Sequence, residues 1–103
     1  MTFDIDASGF ELTNELQEYT AKKVTKLMRR LPRKLRTLAS CTVHFVQQEV
    51  EGAKQNTCNL IFKLDKFELS AAETTQHIYT ALDITTVHID QQLKEYLTHR
   101  WRE

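Results

Sequence analysis

Residues 41–71 read CTVHFVQQEVEGAKQNTCNLIFKLDKFELSA, and their alternation decides the fold. Cys41, Val43 and Phe45 alternate with Thr42, His44 and Val46, a period of two that defines a strand reaching to about Gln48. Gly52 falls in the loop that follows. Near Thr57 a second alternation begins, with Cys58, Leu60, Phe62 and Leu64 on one face and Asn59, Ile61 and Lys63 on the other. Asp65-Lys66 makes a tight connection, after which Phe67, Leu69 and Ala71 point inward from a further strand. Successive hairpins imply a largely antiparallel sheet whose apolar face must be covered.

The flanks supply the cover. Upstream, Thr2 to Ala7 alternates with Phe3, Ile5 and Ala7 on one side, the pattern of a half-buried first strand. Thr13 offers an N-cap hydroxyl, and Glu15 suits the positive end of a helix dipole. Leu16, Thr20, Val24, Leu27 and Leu31 recur at helical spacing as an inner stripe, with Lys22, Lys26 and Arg29 on another flank. Pro32 restricts Leu31, so this helix ends near Arg30. Downstream, Thr74 or Thr75 can cap a second helix whose buried stripe is Ile78, Leu82, Ile89, Leu93 and Leu97, although Ile84-Thr85-Thr86-Val87 is a β-branched run of poor helix propensity. The order is β-α-β-β-β-α, an α+β fold with a four-stranded sheet and two helices packed on one face.

One domain spanning residues 1–103 fits the length, and 41% apolar residues suffice for one core. Two glycines and one proline exclude collagen-like, linker-like and Pro-rich classes. The longest apolar run, Leu60-Ile61-Phe62, is far short of the roughly 20 residues of a membrane helix. Met-Thr-Phe-Asp-Ile-Asp lacks the basic start and apolar stretch of a signal peptide, so export is not indicated. Cys41 and Cys58 sit among apolar strand residues as free thiols acting as small hydrophobes, which implies a reducing, cytoplasmic setting.

Fourteen basic and fourteen acidic residues cancel overall, but not locally. Residues 1–18 carry five acids and no base; residues 19–48 carry eight bases and no acid. The block is Lys22, Lys23, Lys26, Arg29, Arg30, Arg33, Lys34 and Arg36. Cations in a helix's last turn offset its dipole, which explains two or three of them. Eight with no intervening acid repel one another, and phosphates would neutralise them.

The sequence then takes on a familiar outline. Ile5, the run Glu11-Leu12-Thr13, the helix positions Lys23, Val24, Lys26 and Leu27, and above all Ile78-Tyr79-x-Ala81-Leu82-Asp83 followed by Ile89 and Gln92-Leu93 occur in order and spacing. In these the chain resembles the ribosome hibernation promoting factor and ribosome-associated inhibitor family, over nearly its whole length. The resemblance implies a β-α-β-β-β-α domain that binds the small ribosomal subunit and its ribosomal RNA, occupies the channel used by messenger and transfer RNA, and silences translation under stress or in stationary phase. Lys23 and Lys26 carry over as RNA-binding positions, with Arg29 and Arg30 assigned by proximity. On the second helix His88 stands where the family usually has Lys and Gln91 where it usually has Arg; both can donate to phosphate, and Lys94 joins them as a candidate contact. Ending at Glu103, the sequence resembles the family's short form.

Enzymatic chemistry is not expected. With two glycines a phosphate-cradling loop is nearly excluded, and neither a nucleophile elbow nor a triad is present. His77, His88 and His99 recur every eleven residues, but each step is about 16 Å along a helix, too far for one metal ion. No cofactor, metal, membrane or small-molecule substrate is therefore expected. Tyr79 beside Ile78 and Leu82 reads as core, and Trp101 either covers the end of the core or is exposed. An alternative reading is a protein-interaction regulator on the same fold with weakened RNA binding, suggested by His88, Gln91 and the apolar Ile84 and Val87; shape recognition of double-stranded RNA is a third. The charge pattern predicts that reversing Lys23, Lys26 and Arg30 to Glu abolishes co-sedimentation with small subunits while leaving thermal stability largely intact.

Overall fold

The computed structural model describes residues 2–99, so Trp101 lies outside the described residues. The elements run β1 (Thr2–Ser8), α1 (Asn14–Arg29), α2 (Arg33–Arg36), β2 (Ala39–Val50), β3 (Ala53–Leu64), β4 (Phe67–Thr75) and α3 (Ile78–His99). The four strands form one sheet in sequence order. β2–β3 and β3–β4 are antiparallel, as the hairpins require, whereas β1 pairs parallel with β2, Ile5 opposite Val43. The sheet is thus mixed: parallel neighbours need a crossover, and α1 supplies it.

The alternation read in residues 41–71 sorts the sheet's two faces correctly. Cys41, Val43 and Phe45 on β2 and Cys58, Leu60, Phe62 and Leu64 on β3 are fully buried, while the inward residues of the edge strands, Ile5 and Leu69 among them, are half-buried and pack against that centre. α1 and α3 close the inner face and share one core with the strands.

Thr13 caps α1 as expected, its hydroxyl accepting from the Leu16 N–H at 3.1 Å. Leu16, Thr20, Val24, Leu27 and Met28 are the buried face, and Leu31 is buried just beyond the helix end. The basic connector holds a one-turn helix, α2, that the sequence pattern did not reveal; Pro32 precedes it and Leu35 plugs the core from it. Of the two hydroxyls read as caps for the last helix, Thr75 accepts from the His77 N–H and shapes the turn into α3, whereas Thr74 bonds Thr57 across the strand pair. The β-branched run stays helical because Thr85 and Thr86 face inward and return their hydroxyls to the carbonyls of Ala81 and Asp83 at 2.7 and 2.9 Å.

β2 and β3 extend further than their apolar alternation suggests, to Val50 and Ala53, leaving Glu51-Gly52 as a two-residue turn. Both turn residues have positive φ, 51° and 79°, the geometry whose twist suits a hairpin. β1 pairs only as far as Val46 and β4 only from Asn56, so the hairpin tip projects past its neighbours. At its base, buried Asn56 accepts from Gln47 Nε2 at 2.8 Å and donates to the Gln76 carbonyl at 2.9 Å, tying the hairpin to the entry of α3.

Gly9, φ 87°, lies against β2: a Cβ there would stand 2.0 Å from the Gln47 carbonyl oxygen, whereas one on Gly52 would meet nothing. Gly52→Ala should therefore cost only the left-handed strain, about 1–2 kcal/mol, and Gly9→Ala clearly more, in paired urea melts. Burial pushes both thiols from 9.0 up to about 12, with the Cys58 charge adding to the rise at Cys41 and the Thr85 hydroxyl opposing it at Cys58. The unfolded chain loses these protons first, so stability is full below pH 9 and declines as pH climbs toward 12, by about 1.4 kcal/mol per thiol per pH unit. A Cys41→Ala/Cys58→Ala variant should show a visibly flatter alkaline stability profile.

Candidate nucleic-acid interface

α1 and α3 lie side by side on the sheet and run in the same direction. Tyr19 meets Tyr79 edge to face at 5.2 Å, Lys23 meets Asp83, and Arg30 meets Asp90, a constant offset of sixty residues down the seam. The first rung is a cluster: Tyr19 donates its hydroxyl to Asp83 Oδ1 at 2.7 Å, Lys23 Nζ stands 3.1 Å from the same oxygen and 5.3 Å from the Tyr19 ring centroid. The hydrogen bond to Asp83, then burial and the Asp83 charge, raise the Tyr19 hydroxyl above its usual range. For Lys23, desolvation pulls the ammonium down, but the Asp83 hydrogen bond and charge with Tyr19 outweigh it, and the net shift is upward. At the other rung Asp90 also receives Lys94 at 3.8 Å, four residues on.

These carboxylates correct the picture of a wholly unneutralised basic block. Lys23 and Arg30 are paired from α3, so reversing them would set like charges across the seam and cannot be expected to leave stability untouched. Arg36 is committed otherwise. Its Nε donates to the carbonyls of Leu31 and Met28 at 2.9 and 3.2 Å, and its Nη2 to that of Arg29 at 3.2 Å, so a cation closes the carbonyl end of α1 where Pro32 prevents the helix from continuing.

Five bases remain. Lys22, Lys26 and Arg29, at i, i+4 and i+7, form an exposed ridge along α1, and Arg33 and Lys34 are exposed on the one turn of α2 that follows in the chain. Among the described residues none of the five has an ion-pair partner. Of the α3 candidates, His88 is drawn off toward β4, its Nδ1 4.0 Å from Glu73, while Gln91 is exposed one turn beyond Val87. Between the two ion-pair rungs an open groove of about 460 Å³ has Leu27 at its base, Thr86 and Val87 on its α3 side, and Lys26, Arg29 and Arg30 around its rim. Val87 is 53% exposed there; Ile84 is half-buried, so the two do not form the exposed apolar pair considered from sequence. Among the described residues no group of three His, Cys, Asp or Glu side chains could hold a metal ion, and no helix is long and apolar enough to cross a membrane.

The family described as sigma 54 modulation protein / S30EA ribosomal protein matches residues 3–100. The chain belongs to this family. The resemblance carried by Ile5, Lys23 and the helix beginning Ile78-Tyr79 is therefore correct. Among solved structures, a ribosomal subunit interface protein from Coxiella burnetii is similar at TM-score 0.74 and 20% identity, over 95% of this chain and 99% of that one. The N-terminal domain of protein Y from Thermus thermophilus is similar at TM-score 0.72 and 16% identity, over 93% and 99%. At such identities these two matches show a shared fold. A search of curated proteins finds no match.

Within this S30EA family member the eight bases separate into a paired set, a structural arginine and a free ridge. Replacing Arg36 by Ala should lower stability by about 1.5–3 kcal/mol, the range for hydrogen bonds that involve a charged group, read as a fall in melting temperature. An unchanged melting temperature would show that the α1 terminus does not need it.

Proposed function

We propose that this protein binds the small ribosomal subunit through ribosomal RNA, occupies the decoding channel used by messenger and transfer RNA, and holds translation silent in stressed or stationary cells. The observation that carries the reading is the free ridge of Lys22, Lys26 and Arg29 on one face of α1, with the unpaired Arg33 and Lys34 next in the chain on α2, in a protein that is neutral overall. Cations without internal partners attract phosphates, and releasing the counterions drives binding. Membership of a family whose description includes a ribosomal protein supports the ribosome as partner, as does the printed description of the similar Coxiella burnetii protein. In this reading the whole chain acts as one rigid cytoplasmic domain, a plug with no catalytic step, no cofactor and no small-molecule substrate.

The fold gives the plug its stiffness. The ridge stands on a helix whose opposite face is locked into the core by Leu16, Val24 and Leu27. The phosphate contacts therefore meet a preorganised row rather than loose side chains on a mobile loop.

A second reading keeps the fold but gives it a protein partner. Exposed Val87 and the pairing of Lys23 and Arg30 favour it. Ionic strength separates the two, because contact through apolar surface responds weakly to salt.

Co-sedimentation with small subunits tests the proposal. If the five free cations each meet a phosphate, affinity should fall roughly one hundred- to five hundredfold for a fourfold rise in salt. Lys22→Glu/Lys26→Glu/Arg29→Glu should remove binding while the melting temperature stays near that of the parent, since none of the three pairs within the described fold. Failure of the parent to sediment with subunits at low salt would end the reading.

A further inference from the structure

We infer that the groove between α1 and α3 takes one unstacked nucleotide of a single-stranded RNA segment, a refinement that rests on the RNA-binding reading above. At about 460 Å³ the groove falls within the size of pockets that hold small ligands. An A-form duplex keeps its base faces stacked inside and offers base edges, 2′-hydroxyls and phosphates, polar groups that have no use for an apolar floor. Here Leu27 and Val87 provide such a floor between two charged rungs.

The walls fit a base. Arg30 lines the groove and is tethered through its Nε to Asp90, while its terminal nitrogens have no partner among the described residues, so its guanidinium is on hand beside the space. Unpaired bases stack on guanidinium planes as they do on aromatic rings. Asp90 itself also lines the groove, and a carboxylate repels a phosphate seated beside it but not a neutral base. The base therefore goes inward, while the flanking phosphates stay outside on Lys26 and Arg29, the unpaired cations of the rim. Val87, 53% exposed, supplies the apolar surface on the α3 side of the groove.

Val87→Trp would fill the groove from an exposed position. Affinities for a short unstructured RNA and for a duplex of the same length, measured by fluorescence anisotropy, supply the readout, with melting temperature as control. The variant should bind the single strand at least about fivefold more weakly, the low end of one base's stacking contribution, and the duplex unchanged. Arg30→Lys keeps the charge but removes the plane; it should erode the preference for single strands without changing the salt slope, and it serves as the test if Val87→Trp melts early. Single-strand binding by both variants equal to the parent's would overturn the inference and leave the ridge reading standing. Loss of subunit binding by Val87→Trp with single-strand affinity intact would also overturn it, assigning the groove to a protein. A parent that binds neither RNA at low salt would instead remove the reading on which the inference rests.

Discussion

The parallel seam between α1 and α3 is the constraint from which the functional surface follows. Two helices running the same way bring like dipole ends together, an unfavourable alignment that side chains must offset. Here the acids come from α3 and the bases from α1, at Lys23–Asp83 and Arg30–Asp90, seven residues apart on both helices. Each partly exposed pair contributes little stability alone. Together they fix register, and register decides which cations remain available: Lys23 and Arg30 meet carboxylates of α3, while Lys22, Lys26 and Arg29 do not.

The same register explains the groove. Leu27 is too deeply buried, and Thr86 and Val87 too short, to fill the space between the rungs. A longer residue at either α3 position would close it. The sheet underneath makes this arrangement rigid, because the fully buried inner faces of β2 and β3 admit little relative movement of the two helices.

Much of the fold was legible because the signals were local and periodic. Cys41 to Phe45 and Cys58 to Leu64 alternate unambiguously, Thr13 and Pro32 bracket α1, and the stripe from Ile78 to Leu93 outweighs the threonines in its middle. What escaped was non-periodic or long-range. Gln47 to Gln55 carries no apolar alternation, so the projecting hairpin depends on its Glu51-Gly52 turn, which only the paired positive φ values reveal. α2 is too short for a period, and the parallel pairing of β1 depends on the crossover rather than on strand composition. At the candidate site the block of bases was visible at once. Its division into free, paired and structural members was not, because Asp83 and Asp90 lie sixty residues away in the chain and Arg36 acts through carbonyl groups that no sequence pattern displays.

The sealed pair of cysteines has a consequence for the molecule's ageing. With both sulfurs beneath the helices and held as thiols, an oxidant finds no thiolate to attack while the fold is closed. Chemical damage at these positions must wait for the core to open, so the rate at which sulfur becomes oxidised is a clock for whole-domain opening, independent of how much oxidant surrounds the protein once the reaction outruns reclosure.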